Sequence, residues 1–232
     1  MITALFKTFH RHKYKIGVFL LLGMASAICI TMVIARALYS GNERYSNLVW
    51  NLFLAWIPFV LAYLAYMVRS SRLLILVLIP IFAFLWVIFF PNAPYILTDL
   101  QHLSDPAANV PIWYDVIMLV WFSWTGMLMG VVSLNLMHEM VKRELNRAAG
   151  WSFVVLMSGL TGAGIYVGRF VRLNSWDVLQ NPGAAAEDIW SWLSDPSLRS
   201  YGFIGLYTLF FCFVYLTVYA FGHILQEQGK GN

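Results

Sequence analysis

The chain has 232 residues, of which 60% are hydrophobic and 11% are charged. Soluble globular domains carry roughly 25% charged residues, so this composition excludes a soluble protein with one apolar core and indicates a protein of the lipid bilayer. The formal net charge of +4 follows from where the basic residues lie relative to the membrane and requires no nucleic-acid partner.

Six segments are apolar enough to be transmembrane helices, since a helix needs about 20 apolar residues to cross the hydrocarbon core. The sequence therefore predicts an all-α polytopic bundle that forms a single integral membrane domain over residues 1–232. The first segment has a basic flank like that of a signal peptide, but its longer apolar run predicts a retained anchor. The predicted spans are residues 16–38, 48–68, 73–90, 113–137, 151–170 and 201–224.

Lysine and arginine residues divide unequally between the two sets of alternating loops. Ten lie on the side that holds both termini, and five lie in the loops or at the helix ends of the other side. The positive-inside rule therefore predicts that both termini are cytoplasmic. The last outer loop contains NPGAAAEDIWSWL at 181–193, whose apolar and acidic residues fall on different sides of a helix and predict a short interfacial helix.

Small residues occur at four-residue spacing in the fourth and fifth spans. Such residues let helix backbones approach closely in a membrane, where lipid gives no hydrophobic drive for association. The pattern predicts that these two spans pack on each other. The pairs are Gly126 and Gly130, Ser158 and Gly162, and Gly164 and Gly168.

The third span ends in the motif FPNAPYILTDLQHL at 90–103. Pro91 and Pro94 cannot continue a helix without loss of backbone hydrogen bonds, so the helix is expected to end at Phe90, near the outer membrane surface. Asn92 could then bind freed backbone groups, and Tyr95 could lie among the lipid headgroups. These structural roles do not account for the acid and the imidazole that follow.

Asp99 and His102 are three residues apart and would share a face of a helix. An Asp can orient a His and fix its tautomer, as a general base requires. The same pair could bind a divalent metal if a further ligand came from elsewhere. Asp115, at the outer end of the fourth span, is a candidate for that third group, or else an acid that interacts with the helix dipole.

Arg169 and Arg172 are three residues apart at the outer end of the fifth span, so both are expected on one face of the helix. Basic residues at this end run against the positive-inside bias. Guanidinium groups bind phosphate and carboxylate well, and the alternative is that both side chains reach lipid phosphates without a specific role. All these residues are predicted at one membrane face, where they could line a common cleft for an anionic substrate. We predict His102, Asp99 and Asp115 as catalytic residues, and as substrate-binding residues Arg169, Arg172, Asn174, Asp177, Asn92 and Tyr95.

The motifs FPNAPYILTDLQHL and YVGRFVRLNSWD resemble the signatures of a family of bacterial integral membrane proteins known as domain of unknown function 1361. The resemblance covers about residues 47–221 and implies a multi-pass protein of the bacterial plasma membrane, but it supplies no activity. The residues that carry it are Pro91, Asn92, Pro94, Tyr95, Thr98, Asp99, Gly168, Arg169, Phe170, Arg172, Asn174, Ser175, Trp176 and Asp177.

Three functions are compatible with the sequence, and whether the chain is an enzyme stays open. The first is an enzyme at the outer face that acts on an anionic lipid or a lipid-linked substrate. The second is a structural or assembly protein in which the outer acids and arginines form ion pairs. The third is a transporter, which the nearly apolar middles of the spans disfavour for a charged cargo.

Overall fold

The structure of the chain is a computed structural model that describes residues 2–68, 72–104, 110–195 and 197–228. Two basic residues counted for the orientation, Arg69 and Lys230, lie outside the described residues, as do residues 105–109 of the loop that is predicted to be the second outer one.

The described residues form helices joined by short turns, and none of them lies in a strand. Six helical stretches are long and apolar enough to cross a membrane, which confirms the predicted all-α polytopic bundle. The elements, in chain order, are α1 (Ile2–Ser40), α2 (Ser46–Val68), α3 (Arg72–Phe89), α4 (Asn92–Tyr95), a 3₁₀ helix (Ile96–Ser104), α5 (Ile112–Glu144), α6 (Arg147–Tyr166), a π-helical turn (Val167–Val171), α7 (Ser175–Gln180), α8 (Pro182–Ser194) and α9 (Leu198–Gln228).

Helix α5 is the central helix of the bundle and packs against α1, α2, α6 and α9. It is the most buried of the six candidate spans and continues to Glu144, seven residues beyond the predicted end of the fourth span. A short hydrogen-bond chain ties three helices together, since Trp86 Nε1 donates to Ser133 Oγ (2.6 Å) and Ser133 Oγ donates to the carbonyl of Pro58 (3.0 Å). Pro58 lies inside α2, so α5 supplies a donor close to the helix position that proline disrupts.

Helix α8 occupies residues 182–194, where the sequence predicts a short helix in the last outer loop. The Asn181 side chain caps this helix by accepting a hydrogen bond from the Ala184 N–H. Trp192 packs on Tyr166 of α6, with ring centroids 5.5 Å apart, whereas Trp190 is exposed. The position of α8 on a membrane surface stays a prediction.

The third span is broken, as its prolines predict, but the broken segment lies deeper than expected. Helix α3 ends at Phe89, and α4 and the 3₁₀ helix follow after a turn; we call residues 91–104 the broken segment. Ala93 and Pro94 are buried and lie against Gly126 and Gly130 of α5. Gly126 follows the first residue of α5 by 14 residues, about 21 Å along the helix axis. The motif is therefore part of the bundle interior and does not cap a helix at the surface.

Glycines on two helices provide the space for the broken segment. A Cβ atom on Gly126 would lie 2.5 Å from the Ala93 carbonyl oxygen, and one on Gly164 would lie 2.7 Å from Pro91 Cγ. Gly162 instead faces α9, where a Cβ would lie 2.9 Å from the Ile204 carbonyl oxygen. Helices α5 and α6 do pack on each other. The predicted packing of these two spans is therefore confirmed, but Gly126, Gly162 and Gly164 do not form the contact, because they face the broken segment and α9.

Gly126→Ala is expected to destabilise the protein by about 1–3 kcal/mol, because the added methyl group would overlap a backbone oxygen that cannot rotate away. Thermal unfolding in mild detergent measures the effect. Gly159→Ala is the matched control: no atom lies within 4 Å of its Cβ position. It should leave stability unchanged or raise it by less than about 1 kcal/mol, since Ala favours a helix over Gly. Equal losses in both variants would contradict the packing described here.

Candidate functional site

Most of the broken segment is a 3₁₀ helix, whose i→i+3 hydrogen bonds have poorer geometry than those of an α-helix, so its backbone carbonyl groups are less well bonded than in an unbroken span. Inside a membrane bundle such groups need partners, because no water is present to replace them. Side chains from three other helical elements supply the donors: Tyr207 Oη to the Pro94 oxygen (2.6 Å), Ser123 Oγ to the Ile96 oxygen (3.4 Å) and Arg169 Nη2 to the Thr98 oxygen (2.8 Å).

Asn92 fixes the start of the broken segment. Its Nδ2 donates to the Phe89 carbonyl (3.0 Å) and to Ser175 Oγ (2.8 Å), and Ser175 Oγ donates in turn to the Ile88 carbonyl (3.0 Å). Asn92 thus bonds the freed end of α3, the role that the sequence predicts as an alternative to substrate binding. Its side-chain amide also joins this end of α3 to the first residue of α7.

Asp99 is buried, with 2% of its surface exposed, and both of its carboxylate oxygens have donors. Oδ2 accepts from Asn51 Nδ2 of α2 (2.8 Å), and Oδ1 accepts from Arg169 Nη1 (3.1 Å). A buried carboxylate needs such partners, since the cost of removing its charge from water is otherwise large. Asp99 therefore fixes the broken segment to α2 on one side and to the end of α6 on the other.

Arg169 uses its whole guanidinium group within the protein. Nη1 donates to Asp99 and to Tyr95 Oη (3.0 Å), and Nη2 donates to the Thr98 carbonyl. With the Gln101 amide oxygen turned toward Arg169, that oxygen accepts from Nη2 (2.5 Å) and from Nε (2.9 Å). These bonds occupy the five N–H donors of an arginine side chain. Arg169 is thus a bonded internal group, whereas the sequence suggests a contact for a substrate anion.

His102 is the solvent-exposed member of this cluster. About 47% of its side chain is exposed, and Nε2 lies 3.8 Å from Asp99 Oδ1, beyond hydrogen-bond distance. Its backbone oxygen accepts from Arg44 Nη2 (3.3 Å) and Tyr45 Oη (3.4 Å), which connects the broken segment to the turn between α1 and α2. The structure therefore brings together Asp99, His102, Arg169 and Tyr95, four of the residues that the sequence selects.

Asp115 lies in a separate ion pair. Arg36 of α1 donates to both of its oxygens, with Nε–Oδ1 at 2.7 Å and Nη2–Oδ2 at 3.0 Å, and both side chains are buried. No group of three or more His, Cys, Asp or Glu residues within the described parts of the chain is arranged to hold a metal ion. Asp115 is accordingly not the third ligand that a metal at Asp99 and His102 would need.

Arg172, Asn174 and Asp177 do not join the cluster either. Arg172 is exposed, adopts a left-handed conformation (φ 67°) after the π-helical turn, and forms no ion pair with any described residue. Asp177 Oδ2 accepts from the backbone N–H of Asn174 (2.8 Å) and from its Nδ2 (2.9 Å), so these two residues cap α7. The π-helical turn explains why the two arginines diverge, since the predicted shared face assumes a continuous α-helix.

The sequence analysis did not identify three residues that bond the predicted site residues in the structure: Asn51, Arg36 and Gln101. Asn51 is a polar side chain within an apolar span, and Arg36 is a basic one near the end of such a span; intramembrane polar groups of this kind usually face a partner. That signal was available for both residues. Gln101 gave no such signal, because nothing in the sequence shows which side chain its amide faces.

Arg169→Met is expected to destabilise the protein by about 3–5 kcal/mol, because it removes the positive charge and the Oδ1 donor from the buried Asp99 carboxylate and the side-chain donor from the Thr98 carbonyl. Arg172→Met is the matched control and should change stability by less than about 0.5 kcal/mol, since its side chain is exposed. Unfolding in detergent measures both variants. Wild-type stability in Arg169→Met would show that this guanidinium is dispensable to the fold and free to serve a ligand.

Comparison with known protein families gives a match that covers most of the chain. The family described as "Protein of unknown function (DUF1361)" matches residues 50–216, more than half of the chain. No curated protein and no solved structure matches it. The matched region contains the whole broken segment, Asp99 and Arg169, whereas Arg36 and Tyr45 precede it. On this match, and as the two motifs predict, the chain belongs to the DUF1361 family.

Proposed function

We propose that the chain is a membrane enzyme that acts at the outer face of the bacterial plasma membrane on an anionic lipid or lipid-linked substrate, with His102 as its acid–base group. The observation that carries this proposal is the half-exposed imidazole of His102 beside the buried, immobilised carboxylate of Asp99. An exposed histidine backed by a fixed acid is suited to take a proton from a substrate and return it.

The surroundings of Asp99 suit it to position the imidazole. Asn51 and Arg169 hold both carboxylate oxygens, so the acid stays in place while His102 rotates. A rotation that closes the 3.8 Å separation to about 2.8 Å would form the hydrogen bond that orients a general base. Arg169 offsets the charge of Asp99, and in this proposal it serves as a positioning residue that does not contact the substrate.

The proposed substrate class rests on the location of His102 and on the exposed guanidinium group of Arg172. His102 lies at the end of a membrane-spanning segment, so a substrate anchored in lipid can reach it by lateral diffusion. Arg172 is exposed near the end of the neighbouring span, where a guanidinium can bind a phosphate or a carboxylate of the headgroup. Asp115 has no part in this chemistry because Arg36 already holds both of its oxygens.

His102→Ala is expected to lower the rate of lipid conversion by about 10²–10⁴-fold, the usual contribution of general acid–base catalysis. The purified chain would be reconstituted in vesicles made from a bacterial lipid extract, and product lipids would be followed by mass spectrometry. His223→Ala is the matched control, because His223 is an exposed histidine of α9 that bonds only the Tyr219 carbonyl of its own helix. It should keep wild-type turnover.

A wild type without any lipid product, or equal turnover in the two variants, would remove His102 from catalysis. The second candidate function, a structural or assembly protein, would then be the better one. One specific observation favours it: the donors of Arg169 are all used within the protein, and each oxygen of Asp99 already accepts a hydrogen bond there. Such a closed network serves the fold even if no substrate exists.

The orientation in the membrane can be tested by cysteine labelling. Glu187→Cys lies on the exposed surface of α8 and Leu145→Cys lies in the turn between α5 and α6. With both termini in the cytoplasm, a membrane-impermeant maleimide should label Glu187→Cys in intact cells and Leu145→Cys only after lysis. The wild type, whose two cysteines are at Cys29 and Cys212 within spans, gives the background. The opposite pattern would place His102 at the cytoplasmic face and overturn an outer-face activity.

A further inference from the structure

A cleft of about 400 Å³ lies between α1 and α2; Tyr45 lines it and His102 does not. Its walls are apolar side chains of membrane-spanning helices, among them Ile34 and Val49. Its outer end is polar and includes Glu43 of the turn that joins the two helices, as well as Arg36. An apolar lower part with a few polar groups at one end is the arrangement that binds an amphipathic ligand.

Arg36 provides an unused donor at this cleft. Its Nε and Nη2 bind Asp115, but its third nitrogen, Nη1, is buried and has no hydrogen-bond partner. The Tyr45 ring lies over the guanidinium, 4.4 Å from Cζ to the ring centroid. A buried N–H without an acceptor is costly, so a ligand oxygen at this point would gain a hydrogen bond that the protein alone leaves unformed. A small outward rotation of the Tyr45 ring would admit such an oxygen.

The charges around the cleft select the headgroup. Two charged residues line the cleft, and Asp115 neutralises one of them, Arg36, which leaves the Glu43 carboxylate. Arg44, the next residue in the chain, does not line the cleft and donates to the His102 carbonyl. A phospholipid with an anionic headgroup would place a second negative charge beside Glu43. A headgroup with a primary ammonium would instead place a donor there, while its phosphate or ester oxygens remain available to Arg36.

We propose that this cleft is a binding site for a phosphatidylethanolamine-type phospholipid. An acyl chain lies along the apolar wall formed by α1 and α2, a phosphate or ester oxygen accepts from Arg36 Nη1, and the ammonium group donates to Glu43. The site is distinct from the catalytic cluster and does not depend on the function proposed above. Tyr45 connects the two, because its ring covers Arg36 and its hydroxyl donates to the His102 carbonyl.

Lipid retention tests the proposal. The full chain would be reconstituted in vesicles of equimolar phosphatidylethanolamine, phosphatidylglycerol and phosphatidylcholine, extracted in mild detergent and examined by native mass spectrometry. The wild type should retain phosphatidylethanolamine in preference to the other two lipids. Ile34→Trp, which fills the cleft from a position 53% exposed, should lower the retained amount about tenfold. Leu209→Trp, at an exposed position of α9 remote from the cleft lining, is the matched control and should retain the lipid.

Two further variants separate the parts of the proposal. Glu43→Gln should abolish the preference for phosphatidylethanolamine over phosphatidylglycerol, since it removes the charge that discriminates between them. His102→Ala should retain the lipid like the wild type, so a failure of the catalytic proposal leaves this test unaffected. Equal retention in Ile34→Trp and Leu209→Trp, an unselective wild type, or an unchanged preference in Glu43→Gln would each overturn the proposed site.

Discussion

The fold depends on one constraint: a membrane-spanning helix cannot be interrupted unless every backbone group that it releases finds a partner inside the protein. The third span is interrupted within the bundle, and its carbonyl groups accept hydrogen bonds from Ser123, Arg169 and Tyr207 of other helical elements. The glycines of α5 and α6 serve the same structure, because only residues without side chains leave room for this irregular backbone. The half of the bundle that contains the end of the third span is therefore built around the broken segment.

Broken helices in membrane proteins often place free backbone carbonyls and helix ends at a transported ion or substrate. Here the carbonyls of Pro94, Ile96 and Thr98 are already bonded to protein side chains. This closure weakens the transporter hypothesis on grounds of backbone chemistry, in addition to the apolar middles of the spans. It also reduces the groups of the cluster that could act on a substrate. His102 remains accessible, whereas Arg169 and Asp99 are bonded to each other.

The sequence predicts the helices well and the contacts between them poorly, for physical reasons. Hydropathy locates six spans because each must cross the same apolar layer, whatever its neighbours are. The proline pair correctly predicts the break after Phe89, but the depth of the break depends on Gly126, which is a property of another helix. The separation of Arg169 from Arg172 depends on a π-helical turn, which residue spacing cannot reveal. Likewise, the sequence does not show that Arg36 binds Asp115, because 79 residues separate the two in the chain. Without that partner, Asp115 remained a candidate ligand.

The bonds of the broken segment have a consequence for the order in which the bundle can be completed. The side chains that bond its carbonyl groups come far later in the chain: Arg169 comes 71 residues after Thr98, and Tyr207 comes 113 residues after Pro94. The 3₁₀ helix bonds its own backbone by i→i+3 hydrogen bonds from the start, but Asp99 is synthesised 70 residues before the arginine that pairs with it. The side-chain bonds that fix the third span in the bundle are therefore completed only by the last helix, even though the span is third in order of synthesis.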